Sequence, residues 1–239
     1  LVTGVHANVR GTLAEQIAES RRLAEGHIAW AEEYKIILLV PVLPWQSTPN
    51  IFTAGFDRRT FDEATPVLYR RPDEQVNHMI DSLRVLLAGY NLQTNEKVFL
   101  EGFSAGGGFV QRYALLQPHR VAALAAGHCG GWLTMPEPLL DGAPLPWPAG
   151  VFDFQSLARR PFDLEAYRAI PQFIYIGDRD TRNSQVYDWF LWPDAAVVER
   201  LDAAFGDTDP RRLAGQAAYL QRQGYDATFR LYPGAGHDY

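Results

Sequence analysis

The sequence predicts an α/β fold with a mainly parallel central sheet flanked by helices. Short apolar runs of strand length alternate with longer amphipathic runs, and the polar residues able to do chemistry come directly after the strand-like runs. In such sheets ligands bind outside the carboxyl ends of the strands, so this arrangement is the one that a functional site requires. We expect a single domain over residues 1–239, a length sufficient for a large buried core.

Six apolar runs predict the strands. β-branched residues and leucine dominate the longest of them, as is typical of strands buried on both faces of a sheet. The runs are LVTGV (1–5), KIILLVPV (35–42), KVFLEG (97–102), VAALAAGH (121–128), QFIYIGD (172–178) and ATFRLYPG (227–234).

Amphipathic segments between these runs predict the helices. A helix over 72–88 would place Pro72 in the first turn, where its missing N–H is tolerated, and Gly89 near the end. Apolar residues at helical spacing or flanking breakers predict the other helices. These cover residues 13–34, 105–116, 184–204 and 209–223.

One segment, residues 128–171, interrupts the alternation. It holds seven of the sixteen prolines, and its apolar periodicity is poor. Long irregular loops in compact domains are usually lids, binding loops or linkers, and the aromatic content here favours a packed lid. Within it we expect Trp132 to wall a substrate pocket, with Trp147 as the second choice.

Composition excludes several function classes. The net charge of −6 argues against nucleic acid as a partner, since phosphate binding needs a basic face. Cys129 is the only cysteine, which rules out an intrachain disulfide and fits a reducing compartment such as the cytoplasm, although a secreted protein whose leader has been removed stays an alternative. We expect no membrane span, because no apolar run approaches about 18 residues. We also expect no metal or other cofactor, because neither H-E-x-x-H nor clustered ligand spacing occurs.

The stretch EGFSAGGGF (101–109) contains the pattern G-x-S-x-G centred on Ser104. It falls between a predicted strand and a predicted helix, where this pattern places the serine in a strained turn that exposes its hydroxyl. The flanking glycines let strand and helix approach closely, and the helix N-terminus offers N–H groups to developing negative charge. The pattern therefore predicts that Ser104 is a nucleophile.

A serine nucleophile needs a base, and the base needs a carboxylate to orient it. His237 follows the last predicted strand on a glycine-rich loop, YPGAGHDY, and is the candidate base. Asp178 and Asp180 follow the strand in IYIGDRDT and are both candidate acids. His6 and His128 also follow predicted strands, and we expect them to line the substrate site.

The G-x-S-x-G motif, the strand-end GDRD and the late GAGH together resemble the α/β-hydrolase superfamily over nearly the whole chain. The order serine, aspartate, histidine is also the order of that superfamily. The resemblance implies a cofactor-free triad of Ser104, Asp180 and His237, because the superfamily acid commonly ends a G-x-x-D turn. The superfamily usually also has two earlier strands and often a final helix, and we expect this sequence to lack them, either because the chain is trimmed or because its fold is minimal.

The resemblance further implies an oxyanion hole made of two backbone N–H groups. Ala105, which follows the nucleophile, would supply one group. The other would come from TGVHANVRG (3–11), where many esterases and polyester depolymerases carry H-G-C-x-x-N. Val5 stands where that motif has cysteine and is the expected donor, with His6 as the alternative.

The leading interpretation is a serine hydrolase that cleaves small-molecule or polymeric carboxylic esters through an acyl-enzyme intermediate. The motif region resembles small esterases and polyhydroxyalkanoate-depolymerase-like hydrolases. A prolyl-oligopeptidase-type peptidase is one alternative, although no propeller-like domain precedes the fold in this sequence. A non-catalytic binding protein on the same scaffold is another, although such proteins usually lose a triad member.

Overall fold

The computed structural model describes residues 2–3, 11–47, 50–129, 132–180 and 195–237. Nine strands lie in these ranges: β1 (Val2–Thr3), β2 (Trp45–Ser47), β3 (Asn50–Phe52), β4 (Val98–Phe103), β5 (Val121–Gly127), β6 (Leu139–Leu140), β7 (Ala143–Pro144), β8 (Gln172–Gly177) and β9 (Ala227–Tyr232). The central sheet has the order β1-β4-β5-β8-β9, and all neighbouring strands in it are parallel. The predicted α/β class is confirmed.

Eight α-helices lie in the described ranges: α1 (Leu13–Gly26), α2 (Ile28–Glu33), α3 (Pro72–Gly89), α4 (Ala105–Leu116), α5 (Phe154–Ala158), α6 (Leu164–Arg168), α7 (Ala195–Phe205) and α8 (Asp209–Arg222). The predicted helix over 13–34 is divided at His27, which ends α1 and precedes α2. The helix predicted over 184–204 is confirmed from residue 195, and its earlier part lies outside the described residues.

The strand predicted over residues 35–42 is wrong. Within that run the only β-type pairing is an isolated bridge at Leu39. The run instead lies beside α3 and β4, with which it lines a cavity of about 270 Å³. A short apolar run has the same residue pattern whether it joins a sheet or packs against a helix, so the pattern alone does not decide between the two.

The segment predicted as a lid packs into the body of the molecule over its described part, 132–171. Its aromatic side chains Trp132, Trp147 and Tyr167 are each at most 1% exposed. The side chain of Gln111 in α4 bonds both backbone groups of Thr134, and the side chain of Gln216 in α8 bonds both backbone groups of Leu133. The predicted packing of the segment is therefore present, whereas its cover over Ser104 remains a prediction.

Helix α4 lies in the core, and its residues are mostly small or apolar, as is typical of a helix buried on all sides. It packs on β4 and β5, and every residue from Gly106 to Leu116 is buried. The start of α4 lies at the carboxyl end of β4, beside the end of β5, which is the next strand in the sheet. None of the helices in the described ranges is long and apolar enough to pass through a bilayer.

Candidate active site

Ser104 occupies a tight turn between β4 and α4. Its φ of +58° lies in the left-handed region, which costs a non-glycine residue about 1–3 kcal/mol and persists only where the surrounding structure holds it. The Ser104 N–H donates to the Gly127 carbonyl at 2.8 Å, and the Gly108 N–H donates to the Ser104 carbonyl at 3.2 Å. A Cβ on Gly102 would lie 2.2 Å from the Gly106 carbonyl oxygen, so only glycine lets the helix start this close to the strand.

Three side chains form a hydrogen-bonded line that begins at this turn. The Oγ atom of Ser104 lies 3.0 Å from Nε2 of His237, and Nδ1 of His237 lies 2.7 Å from Oδ2 of Asp180. Asp180 is 3% exposed, and the side chain of His237 is 15% exposed. This is the geometry in which a carboxylate orients an imidazole and the imidazole takes a proton from a hydroxyl.

Asp178 contacts the loop that carries His237. Its Oδ1 accepts the Gly234 N–H at 2.7 Å, and the neighbouring Arg179 N–H donates to the Ala235 carbonyl at 3.0 Å. The two loops touch closely, because a Cβ on Gly177 would lie 2.2 Å from the Ala235 carbonyl oxygen. The turn that carries Asp180 therefore holds the loop that carries His237, and the side chain of Asp178 braces that loop.

His128, expected to contact substrate, is placed differently. It is 4% exposed and has a φ of +46°. Its Nδ1 lies 2.6 Å from Oδ2 of Asp180, and its Nε2 accepts the Gly177 N–H at 3.1 Å. With both ring nitrogens bonded to the protein, His128 has no polar atom to offer a substrate.

Phe103, the residue before Ser104, lies against the imidazoles of His128 and His237. Its ring centroid is 4.8 Å from that of His128 and 5.0 Å from that of His237. The two imidazoles are themselves 5.1 Å apart and nearly perpendicular. Aromatic packing thus limits the motion of both rings around the one carboxylate.

The other predicted site residues fall into two groups. Val5 and His6 lie outside the described residues, so the second oxyanion donor stays a prediction; Ala105 is the first residue of α4, as the first donor requires.

Trp132 and Trp147 are each 1% exposed, which leaves almost no surface for an acyl chain. Trp132 has the Arg112 guanidinium 5.5 Å from its ring, and Nε1 of Trp147 donates to the Phe56 carbonyl at 2.8 Å. Both contacts favour a role in packing over the predicted pocket wall.

Two further groups near the site bear on its chemistry. Complete burial raises the pKa of the Cys129 thiol to about 12, so at neutral pH it is a protonated thiol and no rival nucleophile.

His128, Asp180 and His237 bring three potential metal-ligand atoms within 4.8 Å of one another. The same three side chains hydrogen-bond to one another through Oδ2 of Asp180, so a metal ion held by that oxygen would compete with those hydrogen bonds.

Sequence reasoning missed the bonds of His128 and Asp178. A signal for His128 was present, since it follows a predicted strand directly, as the candidate acids do. That β5 and β8 are neighbours in the sheet is what brings His128 to Asp180, and single-sequence patterns do not give the order of strands.

Comparisons with known proteins agree with this fold. No protein-family model matches the chain, and no curated protein matches it. Poly(aspartic acid) hydrolase-1 from Sphingomonas sp. KT-1 aligns with a TM-score of 0.65 at 20% identity, over 99% of this chain and 81% of its own. LpqC, a poly(3-hydroxybutyrate) depolymerase from Bordetella parapertussis, aligns with a TM-score of 0.64 at 21% identity, over 99% and 74%. At these identities the likeness concerns the fold, and the chain has the α/β-hydrolase fold that its motifs resemble.

Proposed function

We propose that this protein is a serine hydrolase that cleaves carboxylic esters through an acyl-enzyme intermediate. The observation that carries the proposal is the line from Ser104 through His237 to Asp180, with contacts of 3.0 and 2.7 Å. Ser104 attacks the ester carbonyl while His237 takes its proton. His237 then gives that proton to the leaving alcohol, and water repeats the sequence to release the acid.

Asp180 keeps its negative charge throughout this cycle. Its carboxylate holds the Nδ1–H tautomer of His237 and stabilises the imidazolium that forms when Ser104 loses its proton. The N-terminus of α4 lies beside the reacting carbonyl, and the Ala105 N–H supplies one donor to the tetrahedral oxyanion. Val5, or alternatively His6, would supply the second donor.

The choice of substrates to test follows from the structural neighbours and from the net charge of the chain. The two structural neighbours are named for hydrolysis of poly(aspartic acid) and poly(3-hydroxybutyrate), so polymers belong among the substrates to test. The net charge of −6 disfavours association with a polyanion and favours a neutral ester. An intact triad argues against a binding protein that has lost catalysis.

The test is hydrolysis of 4-nitrophenyl esters of increasing acyl length, with poly(3-hydroxybutyrate) film and poly(aspartic acid) as polymer arms. We expect Ser104→Ala to lower kcat by about 10⁶-fold, because serine is the nucleophile of the first step. Ser156→Ala is the matched control: this exposed serine bonds only the nearby Asp153 carbonyl among the contacts described, and its loss should leave turnover unchanged. Ester turnover that survives in Ser104→Ala would refute the proposal.

A further inference from the structure

We propose that His128 is a positioning residue that holds Asp180 in the orientation in which it serves His237. The inference rests on the proposed function and adds a fourth side chain to its machinery. It starts from an asymmetry at Asp180: a single carboxylate oxygen, Oδ2, accepts from Nδ1 of two different imidazoles, at 2.6 and 2.7 Å.

The backbone fixes the tautomer of His128. The Gly177 N–H can only donate, and it points at Nε2 of His128 from 3.1 Å. Nε2 must therefore be the unprotonated nitrogen, and the ring proton sits on Nδ1, where it donates to Asp180. His128 is thus a neutral donor whose direction is set by strand β8 and not by solvent.

A neutral donor suits this position. Asp180 is 3% exposed, and a buried carboxylate is costly unless hydrogen bonds replace its hydration. A cation in the place of His128 would also satisfy the carboxylate, but it would repel the imidazolium that forms on His237 5.1 Å away. His128 supplies the hydrogen bond without that positive charge.

The backbone of His128 is held firmly enough to do this. Its N–H donates to the Tyr175 carbonyl at 2.9 Å, and its ring lies against Phe103 and Tyr175. His128 directly follows β5 with a left-handed φ, and its ring bonds Gly177 at the end of the neighbouring strand β8 and Asp180 just beyond it. Two adjacent strand ends are thereby joined through one side chain, which sets the position of the acid relative to the base.

The experiment compares His128→Asn with His128→Phe. Asparagine tolerates a positive φ and places an amide N–H where Nδ1 stood, so it can still donate to Asp180. Phenylalanine keeps a ring of similar size and loses the donor. We expect kcat on a 4-nitrophenyl ester to fall about 10- to 100-fold in His128→Phe with KM little changed, and to stay within about threefold of wild type in His128→Asn.

His119→Phe is the matched control. His119 also pairs with an aspartate, Nε2 to Oδ2 of Asp163 at 2.9 Å, but it lies exposed at the opposite end of β5. Its loss should leave kcat unchanged. Equal losses in His128→Asn and His128→Phe, or normal kcat in a folded His128→Phe protein, would overturn the proposal.

A second measurement does not depend on ester turnover or on folding of the variants. ¹⁵N spectra of the histidine rings in the wild-type protein should show His128 protonated on Nδ1 and unprotonated on Nε2; the opposite tautomer, or a doubly protonated ring at neutral pH, overturns the proposal. If the wild type hydrolyses no ester, the proposed function fails. These spectra, and the rate at which a fluorophosphonate labels Ser104 in each variant, still decide the role of His128.

Discussion

At Asp180 two imidazole N–H groups share one carboxylate oxygen. Its contacts distinguish it from Asp178, the other candidate acid that the residue pattern allowed. Asp180 bonds His237, whereas Asp178 lies exposed and accepts the Gly234 N–H. The two aspartates stand two residues apart in the chain but make different contacts: Asp180 bonds the imidazole of His237, and Asp178 bonds the backbone of the loop that carries it.

We predict that Asp180→Asn lowers kcat on the order of 10⁴-fold while the protein stays folded, because it removes the charge that stabilises the imidazolium. Asp178→Asn is the control, and it should cost less than about tenfold, since the asparagine carbonyl can still accept the Gly234 N–H. Steady-state kinetics on one ester checks both variants. A larger loss for Asp178→Asn would make Asp178 the acid.

At the scale of elements, the close contact between β4 and α4 creates the tight turn at Ser104. We predict that Gly102→Ala destabilises the protein by about 1–3 kcal/mol and abolishes most activity, because the new Cβ would meet the Gly106 carbonyl oxygen at 2.2 Å and the helix must move. Urea unfolding and kcat measure the two effects. Gly89→Ala, with no heavy atom within 4 Å of its new Cβ, should be neutral or stabilising; an equal loss there would contradict the account.

The segment 132–171 is the other element whose contacts give a test, because its buried tryptophans can be examined separately from its predicted cover over Ser104. We predict that Trp147→Ala lowers the free energy of unfolding by about 3–5 kcal/mol, since the indole is 1% exposed and packs against Phe61 and Phe154. The preference among acyl chain lengths should not change. Phe152→Ala removes an aromatic ring that is 53% exposed in the same segment and should cost under about 0.5 kcal/mol. A shifted chain-length preference in Trp147→Ala would restore the pocket-wall role.

At the scale of the whole molecule, the sequence predicted the sheet strands because buried strands alternate with helices whose ends carry glycine and proline. Ser104, Asp180 and His237 were predicted for a related reason: each follows a strand, and parallel strands end at one edge. The run at 35–42 was misjudged, because an apolar pattern shows that residues are buried and does not show what they pack against. The pocket-wall role of the two tryptophans stays a prediction, which their burial disfavours. The hydrogen bond between His128 and Asp180 could not be predicted from the sequence, because predicting it requires the order of the strands in the sheet.

The central claim is that Ser104 is a nucleophile activated by His237 and Asp180. Treatment with a fluorophosphonate, followed by digestion and peptide mass analysis, tests it most directly, because such probes react only with an activated hydroxyl. The account predicts one modified site, Ser104, in the wild-type protein, no modification in Ser104→Ala, and much slower modification in Asp180→Asn. A wild-type protein that remains unmodified, or that is modified at another serine, would contradict it.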